Sequence, residues 1–393
     1  MSSINKYIIV LMAGFAGACA KPAEACTLVS TMVDSSSDAS AALKECIERL
    51  PAGGQLDLAP GVYTLRRPLV IARSLGISTA GLKPESPGCA DLPSGSCATL
   101  LIDPQDAGEP TIMPIHIVGD GVVLSHLIVK GVGGTPKQRA FCGRPERRPL
   151  GGGIRVSGSG FILRKSVLRD FACYTALEVV AGARAPVIEQ NVVGPNGDHR
   201  PGEVWSDGVT IHDSAAAVVR ANTFVDNTDV QLILGGCRDC RIEDNRFVHT
   251  EPFWRASFAE LMLHSWPSTS GNFTGTVVRG NRIDCGPSRR CGYGMMIGAS
   301  PWYKGRMRGG RIVGNSVRNA MIAINVDALS GSVAFQDNQV LNSGGQYRSD
   351  CGTRDWPAVN VAPGSVAQVT GDPSDGVEAS INTEGCLLNR QPH

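Results

Sequence analysis

Aromatic residues are scarce in this chain, 5% of 393. That excludes a core built around large rings and leaves the interior to aliphatic side chains. Neither sign of charge prevails: 37 Lys and Arg stand against 36 Asp and Glu, a net of +1, so no global case exists for a nucleic-acid partner. No apolar run reaches the roughly eighteen residues that a membrane-spanning helix requires. Helical periodicity is missing after residue 50. What is plentiful is glycine, 47 residues, which suits frequent tight turns.

What is there is one phrase said twice. Residues 206–247 read SDGVTIHDSAAAVVRANTF and then VDNTDVQLILGGCRDCRIEDNRF. Each half holds an alternating strand (209–212, then 232–235), a small-residue turn, a second strand (217–220, then 240–243) and a closing Asn-x-Phe. The repeat runs 23 residues, from Asn222 to Asn245. Short strands at this spacing predict an all-β solenoid. A unit so small cannot bury its apolar face alone and must stack on copies of itself.

Residues 1–25 read as an export signal: Lys6, an apolar stretch over 8–18, then small-residue cleavage options. Ala16-Gly17-Ala18-Cys19 also reads as a lipoprotein box, with Cys19 the lipidated residue. Setting Cys19 aside, the remaining cysteines fall into neighbours: Cys26/Cys46, Cys89/Cys97, Cys142/Cys173, Cys237/Cys240, Cys285/Cys291 and Cys351/Cys386. Such an even set predicts disulfides in an oxidising, exported setting, in periplasm, outer membrane or medium. Zinc is the rival for Cys237-x-x-Cys240 and Cys285…Cys291, although no compact second Cys or His pair completes a site.

A short helix is expected over 39–50, capped by Ser37 or Asp38, with Ala41, Ala42, Cys46 and Leu50 on its inner face. Gly53-Gly54 ends it, and a strand then runs through Pro60-Gly61-Val62-Tyr63 into the next. Here the chain resembles the pectate-lyase superfamily of right-handed parallel β-helices, many of which open with this helix, Gly-Gly and Pro-Gly-x-Tyr. The resemblance implies one solenoid domain over 26–393, with an N-terminal cap over 34–53, coils over about 54–345 and a C-terminal cap over 346–393. Aligned coils place their first strands at 154–157, 177–180, 209–212, 232–235, 261–264, 295–298 and 324–327. Asn191, Asn222, Asn245, Asn281, Asn315 and Asn338 close the coils, where asparagine is expected to take left-handed backbone and bond the next coil's asparagine.

The outward columns of these first strands carry the candidate chemistry. The leading column runs Gly208, Gln231, Glu260, Gly294; the middle one Arg155, Glu178, Thr210, Ile233; the trailing one His212, Gly235, His264, Gly298. With about 4.8 Å between coils, His212 and His264 are expected roughly 10 Å apart on one face, with Glu260 beside them. Trp205, Trp266, Trp302 and Tyr303 offer flat faces to sugar rings, and Arg155, Arg200, Thr210 and Gln231 offer polar contacts. A uronate polysaccharide would lose its C5 proton to His264 or His212, with Glu260 setting the charge and an arginine neutralising the carboxylate, as a lyase or epimerase requires. His212-Asp213 is similar to the His-Asp element of β-helix mannuronan epimerases, without the preceding Asp-Pro.

Asp207-Gly208 followed by Asn227-Thr228-Asp229 resembles the polygalacturonase-type glycosidases, which implies hydrolysis by Asp207 and Asp229, 22 residues apart. The chain departs from that pattern at Thr228, and it lacks both the Gly-His-Gly and the Arg-x-Lys. A polysaccharide-binding scaffold without catalysis is the third reading. No cofactor is implied, though Asp226, Asp229, Asp239, Glu243 and Asp244 offer oxygen ligands for calcium.

Overall fold

A computed structural model of the chain describes residues 37–104, 112–133, 135, 140–198, 205–250, 257–289, 291–298, 305–349 and 352–371. Each coil contributes three short strands, which stack in parallel into three sheets. A back sheet of 11 strands runs from Gly54–Leu58 to Val369–Thr370. A flank sheet of 10 runs from Gly61–Leu65 to Gln339–Leu341, and a site sheet of 10 from Leu69–Ile71 to Val359–Val361. The architecture is a right-handed parallel β-helix. No helix among the described residues is long and apolar enough to cross a membrane.

The expected register of the site sheet is the observed one: Ile154 pairs with Leu177, then Val209, Leu232, Leu261, Met295 and Ile324. Each repeat, however, holds three strands where two were expected. The closing Asn-x-Phe is itself a flank strand (Thr223–Val225, Arg246–Val248), and its Phe224 and Phe247 stack in the core with centroids 4.9 Å apart. A strand of three residues suffices there because its central side chain points inward and the next coil supplies the contact.

The closing asparagines form a continuous internal ladder. Asn191 donates to Asn222, Asn222 to Asn245, Asn245 to Asn281, Asn281 to Asn315 and Asn315 to Asn338, all at 2.9–3.0 Å. The left-handed position is the residue before each asparagine, not the asparagine itself: Ala221 has φ 53° and Asp244 φ 54°. The turn therefore costs strain at one residue, and the following amide repays it through buried hydrogen bonds.

The cap helix, Ser40–Arg49, buries Leu43, Cys46 and Ile47, while Ala41 is exposed. The expected Cys46 and Leu50 do face inward and Ala42 packs against the core, but Leu43 and Ile47 take the place of Ala41, because they fill more of the coil's open end than alanine can. Tyr63 of the Pro-Gly-x-Tyr strand is fully buried, and its hydroxyl donates to the Ala59 carbonyl at 2.9 Å. At the other end an antiparallel hairpin (Gly345–Ser349 with Gly352–Trp356) interrupts the coils. The chain then returns to add Val359–Val361 to the site sheet, so coiling continues past residue 345.

Four neighbour pairs form disulfides: Cys89–Cys97, Cys142–Cys173, Cys237–Cys240 and Cys285–Cys291. The Cys237–Cys240 and Cys285–Cys291 bonds displace the zinc alternative at those pairs. Cys46 is also disulfide-bonded; Cys19, Cys26, Cys351 and Cys386, with the whole export signal, lie outside the described residues.

Candidate functional site

The outer face of the site sheet holds a groove of about 390 Å³. It spans four rungs: Tyr174–Val179, Ser206–Ala215, Val230–Arg238 and Ser257–His264. Its polar centre is Glu178, which is 2% exposed. Glu178 accepts from Arg155 on the preceding rung at 2.6 Å, from the Tyr174 hydroxyl at 2.9 Å, and from His212 Nε2 on the following rung at 3.0 Å. Burial alone would raise the Glu178 carboxyl, but His212, Arg155 and Tyr174 together hold it below the usual range. Tyr174 is shifted the other way: burial and the Glu178 charge keep its phenol protonated well above the ordinary value. Tyr174 follows the Cys142–Cys173 disulfide in left-handed backbone (φ 73°). That bond also ties in the turn carrying Arg148, whose Nε donates to the Cys142 carbonyl and whose side chain lines the groove.

Beside this cluster stand two more carboxylates. Asp207 accepts from the Val230 backbone N–H at 3.1 Å and from Thr210 at 3.0 Å. Asp229 immediately precedes the next rung, its N–H donating to the Ser206 carbonyl. Burial, and then the charge of Asp229, push the Asp207 carboxyl well above the usual carboxylate range. Asp207 is thus level with Val230 and faces the groove.

His212 and His264 share the groove, separated by Trp266. The indole centroid lies 5.2 Å from the His212 ring and 6.0 Å from that of His264. Gly235 makes this possible: a Cβ there would sit 2.6 Å from the indole. His264 Nδ1 lies 2.8 Å from the Gly298 carbonyl. A carbonyl can only accept, so the neutral ring carries its proton on Nδ1 and its lone pair on Nε2. Burial lowers the His264 pKa and keeps that ring neutral.

No protein-family model matches this chain, and no curated protein does. Fold similarity is clear. The catalytic domain of Agl-KA aligns with a TM-score of 0.56 at 12% identity, over 87% of this chain and 63% of that one. The pectate lyase Pel9A aligns with a TM-score of 0.51 at 12% identity, over 85% of this chain and 75% of that one. The chain has the parallel β-helix fold of a pectate lyase.

On that β-helix the expected leading column is not outward. Gln231 is fully buried and bonds Asn227, and a Cβ on Gly294 would strike the core residue Val317. The longer site strands, from Tyr174–Val179 to Ile322–Val326, break their alternation as they leave the corner, so Gln231 and Leu232 both face inward. The ladder shows the break, pairing Val230 with Ala259 and then Leu232 with Leu261. The outward residues are instead Thr175, Asp207, Val230 and Ala259.

Glu260 consequently leaves the groove. It is fully buried, accepts from His249 Nε2 at 2.8 Å and from the Ser257 hydroxyl, while His249 Nδ1 lies 3.2 Å from Asp226. Burial would lower the His249 pKa, but Glu260 and Asp226 raise it to about 10. This clamp fixes the corner between Arg246–Val248 and Ser257–His264.

The remaining expectations divide. Arg155 and Thr210 join the cluster; Gln231 is a corner residue; Trp205 is partly buried against the apolar residues flanking the groove. Arg200, Trp302 and Tyr303 lie outside the described residues. The carboxylates considered for calcium are dispersed: Asp239 and Asp244 occupy left-handed turns, Glu243 pairs with Arg279 and Asp226 with His249. Glu178, Tyr174 and Arg148 were not singled out as site residues. The available signal was the outward column itself, in which Glu178 stands between Arg155 and Thr210.

Proposed function

We propose that the chain is a carbohydrate-active enzyme that hydrolyses a glycosidic bond in this groove. Asp207 delivers a proton to the departing oxygen, and Asp229 activates the attacking water. One observation carries the reading: Asp207 and Asp229, on adjacent rungs, line the same groove, where burial first and then the charge of Asp229 raise the Asp207 carboxyl. Two carboxyls facing one groove, one of them raised by its surroundings, offer the acid and base roles that glycoside hydrolysis needs. Trp266 offers a ring face to a sugar, and the Glu178 cluster offers hydrogen bonds to hydroxyls. The fold shared with a pectate lyase supports carbohydrate as the substrate class. The disulfides support an oxidising, exported setting, with lipidation at Cys19 as one route of attachment.

The test is incubation of the purified protein with polygalacturonate, alginate and neutral glucans. New reducing ends without unsaturated-uronate absorbance are expected; no release from any polymer would sink the reading. A second reading has its own support. Neutral His264, with its lone pair on Nε2, and the cation Arg148 suit proton abstraction from a uronate, by a lyase or an epimerase. That reading is recognised by unsaturated-uronate absorbance, or by proton NMR for epimerisation. Binding with neither product would leave a scaffold.

A further inference from the structure

Past the groove, the outer face of the site sheet changes character in opposite ways at its two ends. Toward the C-terminus it is sealed. Met262 follows Ile233 in the outward column and is fully buried, Met296 is 3% exposed, and Phe258, Met321 and Trp356 pack with them. The next two in the column, Asn325 and Asn360, are buried and bond each other at 2.8 Å. Toward the N-terminus the face is open. Val70 is 43% exposed and Val118 44%, Ser157 is exposed, and His116 and Arg155 are half-buried. Val70, His116 and Arg155 stand on the rungs Leu69–Ile71, Ile115–Ile117 and Ile154–Val156, in register with Glu178, and Val118 and Ser157 directly follow the second and third of these rungs.

We infer that the groove is one-ended and that the enzyme acts on chain ends, releasing a mono- or disaccharide. The inference rests on the hydrolase reading and extends it to the form of the substrate. Asp207 stands two rungs, about 10 Å, from the strand of His264, where the sealed face begins. That interval, floored by Val230 and Ile233 and walled by Trp266, has room for one or two rings. On the other side four rungs, about 19 Å, separate Asp207 from Val70, so the rest of the polymer lies along the open face. A chain threaded through its middle would have to cross the buried Met262 and Met296 surface. The open face is continuous with the groove, and its mixed small apolar and polar residues suit the alternating faces of a sugar chain.

Two measurements separate this inference from the function it extends. On the polymer that yields reducing ends, mono- or disaccharide is expected from the first time point while viscosity barely falls. Intermediate oligosaccharides with a rapid loss of viscosity would overturn the one-ended groove and leave the hydrolase standing. The second measurement uses Val118→Glu, which lies outside the catalytic cluster, and compares binding of a hexasaccharide and a disaccharide of the same panel by calorimetry. Binding of the hexasaccharide is expected to weaken about tenfold and that of the disaccharide to stay unchanged. Unaltered hexasaccharide binding would overturn the open-face assignment even if no polymer in the panel is cleaved.

Discussion

Asp207 and Asp229 are a matter of charge at close quarters. Removing the negative charge of Asp229 takes away one of the two causes that raise Asp207, so the Asp207 carboxyl should titrate at lower pH. If Asp207 is the proton donor, activity falls as pH rises through its pKa. Asp229→Asn should therefore move the basic limb of the residual activity profile to lower pH, besides lowering the rate by about 10²–10⁴-fold. An unmoved limb would assign the titration to another group. His249 tests a different physical effect. Replacing it by leucine leaves Asp226 and Glu260 buried without their cation, which should cost about 3–5 kcal/mol in denaturant unfolding. A change below about 1 kcal/mol would mean that water reaches the clamp. Neither residue pair was fully legible in the sequence. Asp226 read as a calcium ligand and Glu260 as a groove acid, because the histidine that joins them lies outside the outward columns.

Among elements, the turn between back and flank strands is the most regular, and it was the most legible. A 23-residue spacing of Asn-x-Phe fixes which strands stack, since one slipped residue would expose every core side chain. Asn245 shows what the ladder contributes: it donates to the Val219 carbonyl and to Asn281, both at 2.9 Å, and accepts from Asn222. Asn245→Ala should lower stability by about 2–4 kcal/mol, as orphaned buried groups on two neighbouring coils predict, with groove activity retained at temperatures where the variant is folded. A thermal melt beside an activity assay checks both halves. The site strands were less legible for a physical reason. Reading them by strict alternation placed Gln231 and Glu260 outward, whereas the chain bends where it leaves the corner and turns two successive residues inward. A kink of that kind leaves no mark in apolar periodicity, so Glu260 read as catalytic.

At the scale of the molecule, the solenoid brings distant residues together by stacking rather than by folding back. Arg155, Glu178 and His212 meet because consecutive coils are in register. The loops vary in length, but the rungs beneath them do not shift, and this is how a regular scaffold holds an irregular site. The apolar cluster outside the site sheet, from Val230 to Trp356, was not expected from sequence. Its residues alternate with core residues, and nothing in their spacing says that a second layer covers them. The most direct measurement is reducing-end release by Asp207→Asn beside the natural protein, with the fold matched by circular dichroism and sugar binding measured in parallel. Release should fall by at least a hundredfold while binding persists. Full-rate release by that variant would show that the two carboxylates on neighbouring rungs do not perform the reaction.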